Sequence, residues 1–164
     1  MSLETLKNAG FVIRRRKEQK YLSNIFQKRY QHIPLEYSHF LQSFKSIQNQ
    51  DDDVWFVSIE DFNETSKNDF KWNEFELISL EACENEEEID QVRSFWDRHI
   101  PILISVKDEY EYLALCVDEQ NFGVIVHGME PEFEEVSKVS ESFKELIIMF
   151  QKPSACTYVK RFIE

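Results

Sequence analysis

Glycine is almost missing from this 164-residue chain, with three copies, and proline occurs only four times. That scarcity removes whole classes of chemistry. A P-loop (GxxxxGK[ST]) or a dinucleotide fingerprint (GxGxxG) needs closely spaced glycines so that backbone amides can approach a phosphate, and three scattered glycines supply neither. The GxSxG turn that exposes a hydrolase nucleophile is absent as well. The three cysteines, Cys83, Cys116 and Cys156, are odd in number, widely spaced and form no CxxC, against both a disulfide framework and a zinc site. A reducing cytoplasm is the compartment this usage favours. Residues 1–19 have no apolar core of a signal peptide, and no apolar run reaches the ~18 residues that span a bilayer. There is no HExxH. The histidines His32, His39, His99 and His127 fall on separate elements, and only His32 and His39, flanking Pro34, could meet. No metal, cofactor or catalytic residue is therefore expected.

What is present argues for a folded domain. Aromatic residues make up 14% of the chain, with fourteen Phe, although 30% of residues are charged. A chain of this length hides roughly two thirds of its unfolded surface and needs no disulfide staples. Charge is distributed unevenly: residues 1–50 hold nine basic and three acidic side chains, and the remainder holds ten basic and 28 acidic. An acidic body repels nucleic acid and attracts basic partners, unless the basic head simply folds back onto it. The cluster RRRK, Arg14–Lys17, reads as a solvated entry to a helix rather than a phosphate contact.

Periodicity supplies the elements. Tyr21, Leu22, Ile25, Phe26 and Tyr30 recur at helical spacing over residues 17–30, and Pro34 opens a second helix with Tyr37, Phe40, Leu41 and Phe44 on its buried face. VWFVSI (54–59) alternates as a strand, and FNETSKNDFKWNEFELISL reads as a loop followed by a strand ending near Leu80. Asn85, with Glu88 three residues on, matches an N-cap for a helix carrying Ile89, Val92, Phe95 and Trp96 and ending before Pro101. PILISV, YLALCV and FGVIVH, separated by KDEYE and DEQN, predict three consecutive antiparallel strands. Val136, Val139, Phe143, Leu146, Ile147 and Phe150 outline a last helix of about four turns before Pro153. The expected class is α+β, one domain: an antiparallel meander sheet packed against N- and C-terminal helices on one side.

Two acidic stretches are the candidate binding residues. EACENEEEID contributes Glu84, Glu86, Glu87, Glu88 and Asp90. It lacks the central glycine of a calcium loop and reads as a helix start favoured by the helix dipole. HGMEPEFEEV contributes Glu130, Glu132, Glu134 and Glu135, expected on the turn and first turn of the last helix. Phe133 in that stretch is either a staple onto the core or an exposed anchor. A binding surface is the preferred reading and a solvated loop the alternative.

Several segments resemble the SUKH superfamily, the SMI/KNR-type family. IPLEYSHFLQSF is similar to its isoleucine-proline opening followed by an aromatic-bearing helix. WFVSIEDF, the PILIS–YLALCVD meander, FGVIVHG and VSESFKELI follow in the family's order. The resemblance covers roughly residues 17–150, between a basic lead-in (1–16) and a C-terminal tail (151–164). One departure is SIQNQDDD, where the family often carries Asn-Gly. The resemblance implies an α+β domain without a catalytic centre, acting by protein contact. It would be an immunity protein that neutralises a toxin, often a nuclease, or a regulator of cell-wall synthesis. A nuclease presents a basic surface to its polyanionic substrate, so an acidic inhibitor gains electrostatic steering.

Overall fold

Seven strands form one sheet in which spatial order follows chain order and every neighbouring pair is antiparallel. They are β1 (Val12–Arg15), β2 (Phe44–Gln48), β3 (Val54–Phe56), β4 (His99–Ser105), β5 (Glu111–Cys116), β6 (Ile125–Met129) and β7 (Ser137–Ser140). A computed structural model describes residues 2–164. Its helices are α1 (Ser2–Asn8), α2 (Asn24–Arg29), α3 (Leu35–Ser43), α4 (Ile59–Phe62), α5 (Glu74–Ala82), α6 (Glu86–Trp96), α7 (Phe143–Met149) and α8 (Thr157–Arg161). The α+β class and the PILISV–YLALCV–FGVIVH meander are as expected. The meander is longer, because β1, β2 and β3 extend it at one end and β7 at the other.

The helices cover both faces of the sheet rather than one. On one face Phe56 packs against Phe11, Phe40 and Phe150, bringing in the segment after α1 together with α3 and α7. On the other face Tyr112 packs against Phe75 of α5 and Trp96 of α6. Burial on both sides explains why PILIS and YLALC read as continuous apolar runs instead of an alternation, and every residue of β4 and β5 is buried. Pro101 is tolerated inside the central strand β4 because the register slips between Pro101 and Leu103.

Local chemistry sets the remaining boundaries. The helix expected over residues 17–30 shrinks to the six residues of α2, because Ser23 accepts from the Phe26 amide and starts the helix late. Upstream, the Gln42 side chain bonds the backbone N–H and C=O of Lys20 and holds that stretch extended. Phe44 belongs to β2 rather than to the helix before it. The segment expected to be a strand ending near Leu80 is the helix α5. Asn85 caps α6 as expected, accepting from the Glu88 amide. The last helix starts only at Phe143: Ser142 accepts from the Glu145 amide, and Glu145 reaches back to the Glu141 amide. Residues 137–140, expected in that helix, are instead the edge strand β7.

The basic head does fold back onto the acidic body. Arg16 makes a bidentate pair with Glu60, which Lys20 also approaches, and Arg29 bridges Glu76 and Asp97. Burial alone would push the Glu60 carboxyl up, but the Arg16 bonds hold it below the usual range. The two flanks set apart in the sequence are integral. Leu3 and Leu6 of α1 are buried, and Val159 and Phe162 at the C-terminus are fully buried.

Candidate functional site

The acidic corner is built from the core outward. Phe133 is buried, 3% exposed, with its ring 4.7 Å from that of Phe75. It is a core staple, and the exposed-anchor alternative is overturned. A corner between β6 and β7 must point one residue inward to be held, and the only large apolar side chain in EPEFEE is this one. Two further bonds fix the corner: the Tyr112 hydroxyl donates to the Phe133 carbonyl, and the Trp96 indole N–H donates to Glu134 Oε1 at 2.7 Å. Burial and then the Glu134 and Cys116 charges push the Tyr112 hydroxyl well up, so it stays a donor.

Gly128 makes this arrangement possible. It lies opposite Tyr112 in the β5–β6 ladder, and a Cβ there would overlap the Tyr112 ring and hydroxyl. The glycine of HGMEPEFEEV therefore serves close approach rather than a turn.

Glu87 and Asp90 of α6 meet Glu134 around one open groove of about 680 Å³, floored by Phe95 and completed by Gln91, Ser94 and Arg98. The α6 contributors recur three, four, seven and eight residues after Glu87, a single helical stripe, which Arg98 extends just past the helix end. Cys83 reports the same neighbourhood: its thiol is pushed up by burial and then by the Glu88 and Glu134 carboxylates. The other acidic candidates lie outside the groove. Glu84, Glu86, Glu132 and Glu135 are exposed, Glu88 folds back onto Asn85 and the Glu84 amide, and Glu130 accepts from the Tyr110 amide. Among the described residues, none of the nine acidic candidates takes part in an ion pair.

A second cluster was not anticipated. Glu111 Oε2 is 2.7 Å from both His127 Nε2 and Arg161 Nε, and Glu109 approaches Arg161 at 3.2 Å. Burial would raise the Glu111 carboxyl, but the bonds from His127 and Arg161 hold it below the usual range. Because Glu111 is ionised, His127 Nε2 carries the donated proton. The pair is only 5–6% exposed, and Tyr158 of α8 packs on the imidazole at 5.0 Å. These bonds fasten α8 to β5 and β6. Little in the sequence warned of it, since Glu111 and Arg161 are 50 residues apart.

His32 and His39 are both exposed, and their side chains make no hydrogen bond or ion pair among the described residues. No group of three or more His, Cys, Asp or Glu among those residues is arranged to hold a metal, and no described helix is long and apolar enough to cross a membrane. Comparison with family models, with curated protein sequences and with solved structures finds no match to this chain.

Proposed function

We propose that this protein is a non-catalytic binding domain of the SUKH type that docks on a basic protein and neutralises it, the partner being a nuclease toxin encoded beside it. The observation that carries the reading is the groove, where Glu87, Asp90 and Glu134 converge from two separate segments and none of the three is in an ion pair among the described residues. Among the described lining residues Arg98 alone is basic. Such a surface raises the encounter rate with a cationic partner by about 10- to 1,000-fold at low salt. The order of elements supports the family reading. IPLEYSHFLQSF holds the proline-opened α3, WF lies in β3, the meander follows, and SESFKELI holds the serine-capped α7. The burial of the His127–Glu111 pair beneath Tyr158 of α8 supports the non-catalytic part of this reading.

With Phe133 in the core, slow dissociation has to come from a partner side chain entering the groove over Phe95. The test is co-expression with the neighbouring toxin, followed by association kinetics of the purified pair. Rescue of growth is expected. Replacing Glu87, Asp90 and Glu134 by their amides should slow association about tenfold and flatten its salt dependence, while the amide oxygen introduced by Glu134→Gln can still accept from Trp96. Rescue by the triple variant with unchanged rates would remove the groove from the mechanism. Failure of the native protein to rescue or bind would remove the toxin.

A further inference from the structure

The two edges of the sheet are unlike. On the outer edge strand β7, Lys138 is paired with Glu141. On β1, Arg14 and Arg15 are exposed, as is Lys45 on the adjacent β2, and none of the three has an ion-pair partner among the described residues. An exposed valine, Val12, 48% accessible, lies two residues from Arg14 on the same strand. An edge strand presents unpaired backbone N–H and C=O groups, and a partner segment can add to it as a further strand.

The register says what such a segment must carry. Val12 lies opposite Gln48 and Gln48 opposite Trp55, while Arg14 lies opposite Ser46. These two rows share one face of the sheet, the one on which Trp55 meets Phe70. The helical layer on that face stops short of β1 and β2, leaving a groove of about 850 Å³ lined by Arg14, Lys45, Gln48, Trp55, Lys67 and Phe70, among others. Four carboxylates also line it. Glu60 is already held by Arg16 and Lys20, and Asp61 by the cap at Ser58, so only Asp52 and Asp69 remain uncommitted.

We propose that β1 is a docking edge for an extended segment of a partner protein that carries an acidic side chain two residues from an apolar one. Main-chain bonds to β1 supply the attachment. Alternate side chains of the added strand fall on the grooved face, the apolar one beside Val12 and the acidic one beside Arg14. This surface prefers an acidic partner where the α6 groove prefers a basic one, and it stands whether or not the toxin reading survives.

The probe is the peptide acetyl-Thr-Glu-Thr-Val-Thr-amide, whose order sets Glu beside Arg14 and Val beside Val12 when it adds antiparallel to β1 like the other strands of the sheet, compared with its counterpart carrying Lys in place of Glu. Both are titrated into the full-length protein and followed by amide NMR shifts and amide exchange. The Glu peptide should perturb Val12–Arg15 and the Trp55 indole, slow exchange along β1, and bind about tenfold tighter than the Lys peptide. Arg14→Glu, a change at an exposed side chain, should reverse that preference. Several outcomes overturn the proposal: no perturbation of β1 at millimolar peptide, equal binding of the two peptides, a preference unchanged by Arg14→Glu, or perturbation at β7 instead. Inorganic phosphate reproducing the same shifts would also overturn it, leaving a simple anion site.

Discussion

Replacing Gly128 by alanine sets two effects of opposite sign against each other. Gly128 does not occupy the left-handed region, so alanine suits its backbone, and the loss of unfolded-state freedom should by itself stabilise the fold by about 0.5–1 kcal/mol. The added methyl, however, overlaps the ring and hydroxyl of Tyr112, which is fully buried with its ring 5.1 Å from those of both Phe75 and Trp96. That ring cannot retreat without overpacking, which costs about 1–3 kcal/mol. Its hydroxyl would also leave the Phe133 carbonyl, adding about 1–3 kcal/mol for groups left dry. The steric terms win, and Gly128→Ala should destabilise by about 2–4 kcal/mol and lower the Tm by roughly 5–15 °C. Urea unfolding followed by circular dichroism should show a lower midpoint with an unchanged slope. Tryptophan fluorescence of the folded variant should differ too, because Trp96 is tied to the same corner through Glu134. In a Tyr112→Leu background the penalty should largely vanish, since residues in contact are not additive. A neutral or stabilising Gly128→Ala in the native background would refute the close-approach argument.

Phe143→Ala should cost about 3–5 kcal/mol in urea unfolding, because the ring is 2% exposed and packs on Tyr37 and Phe40. Phe162→Ala should cost a similar ~3–5 kcal/mol, a loss that a dispensable tail would not produce. Glu134→Gln should be nearly silent in stability while Glu134→Ala is destabilising, because only the amide still accepts from the Trp96 indole; equal effects would dismiss that bond. Glu111 has a lowered folded pKa, so its contribution is fully present above the unfolded value of about 4.3 and is lost as pH falls through the folded value. Urea titrations across pH should therefore find Glu111→Gln clearly weaker than native near neutrality, with the gap closing below about pH 4. A gap independent of pH would argue against the ionised cluster.

Elements whose signal is local could be read directly. The N-cap at Asn85 depends on a side chain three residues from its target, and α3 follows from Pro34 and the spacing of Tyr37, Phe40 and Leu41. The meander followed from three apolar runs separated by charged turns. The α6 stripe from Glu87 to Phe95 was implicit in helical spacing. Other features depended on which partner surface was present. Val136 and Val139 fit a helix period equally well, yet residues 137–140 pair with β6, and the Ser142 cap delays the helix. Phe75 and Glu76 look like either strand or helix until the face of β5 that carries Tyr112 needs a cover. Phe133 was ambiguous between staple and anchor because the choice rests on whether Phe75 waits beneath it. The Glu111–His127–Arg161 cluster and the meeting of Glu134 with α6 join residues 16, 38 and 50 positions apart. Periodicity and capping act within one or two turns of chain, so the pieces and their apolar faces were already written in the order of residues. Which faces meet, and so which charges are neutralised and which are left to a partner, was decided only by packing across the sheet.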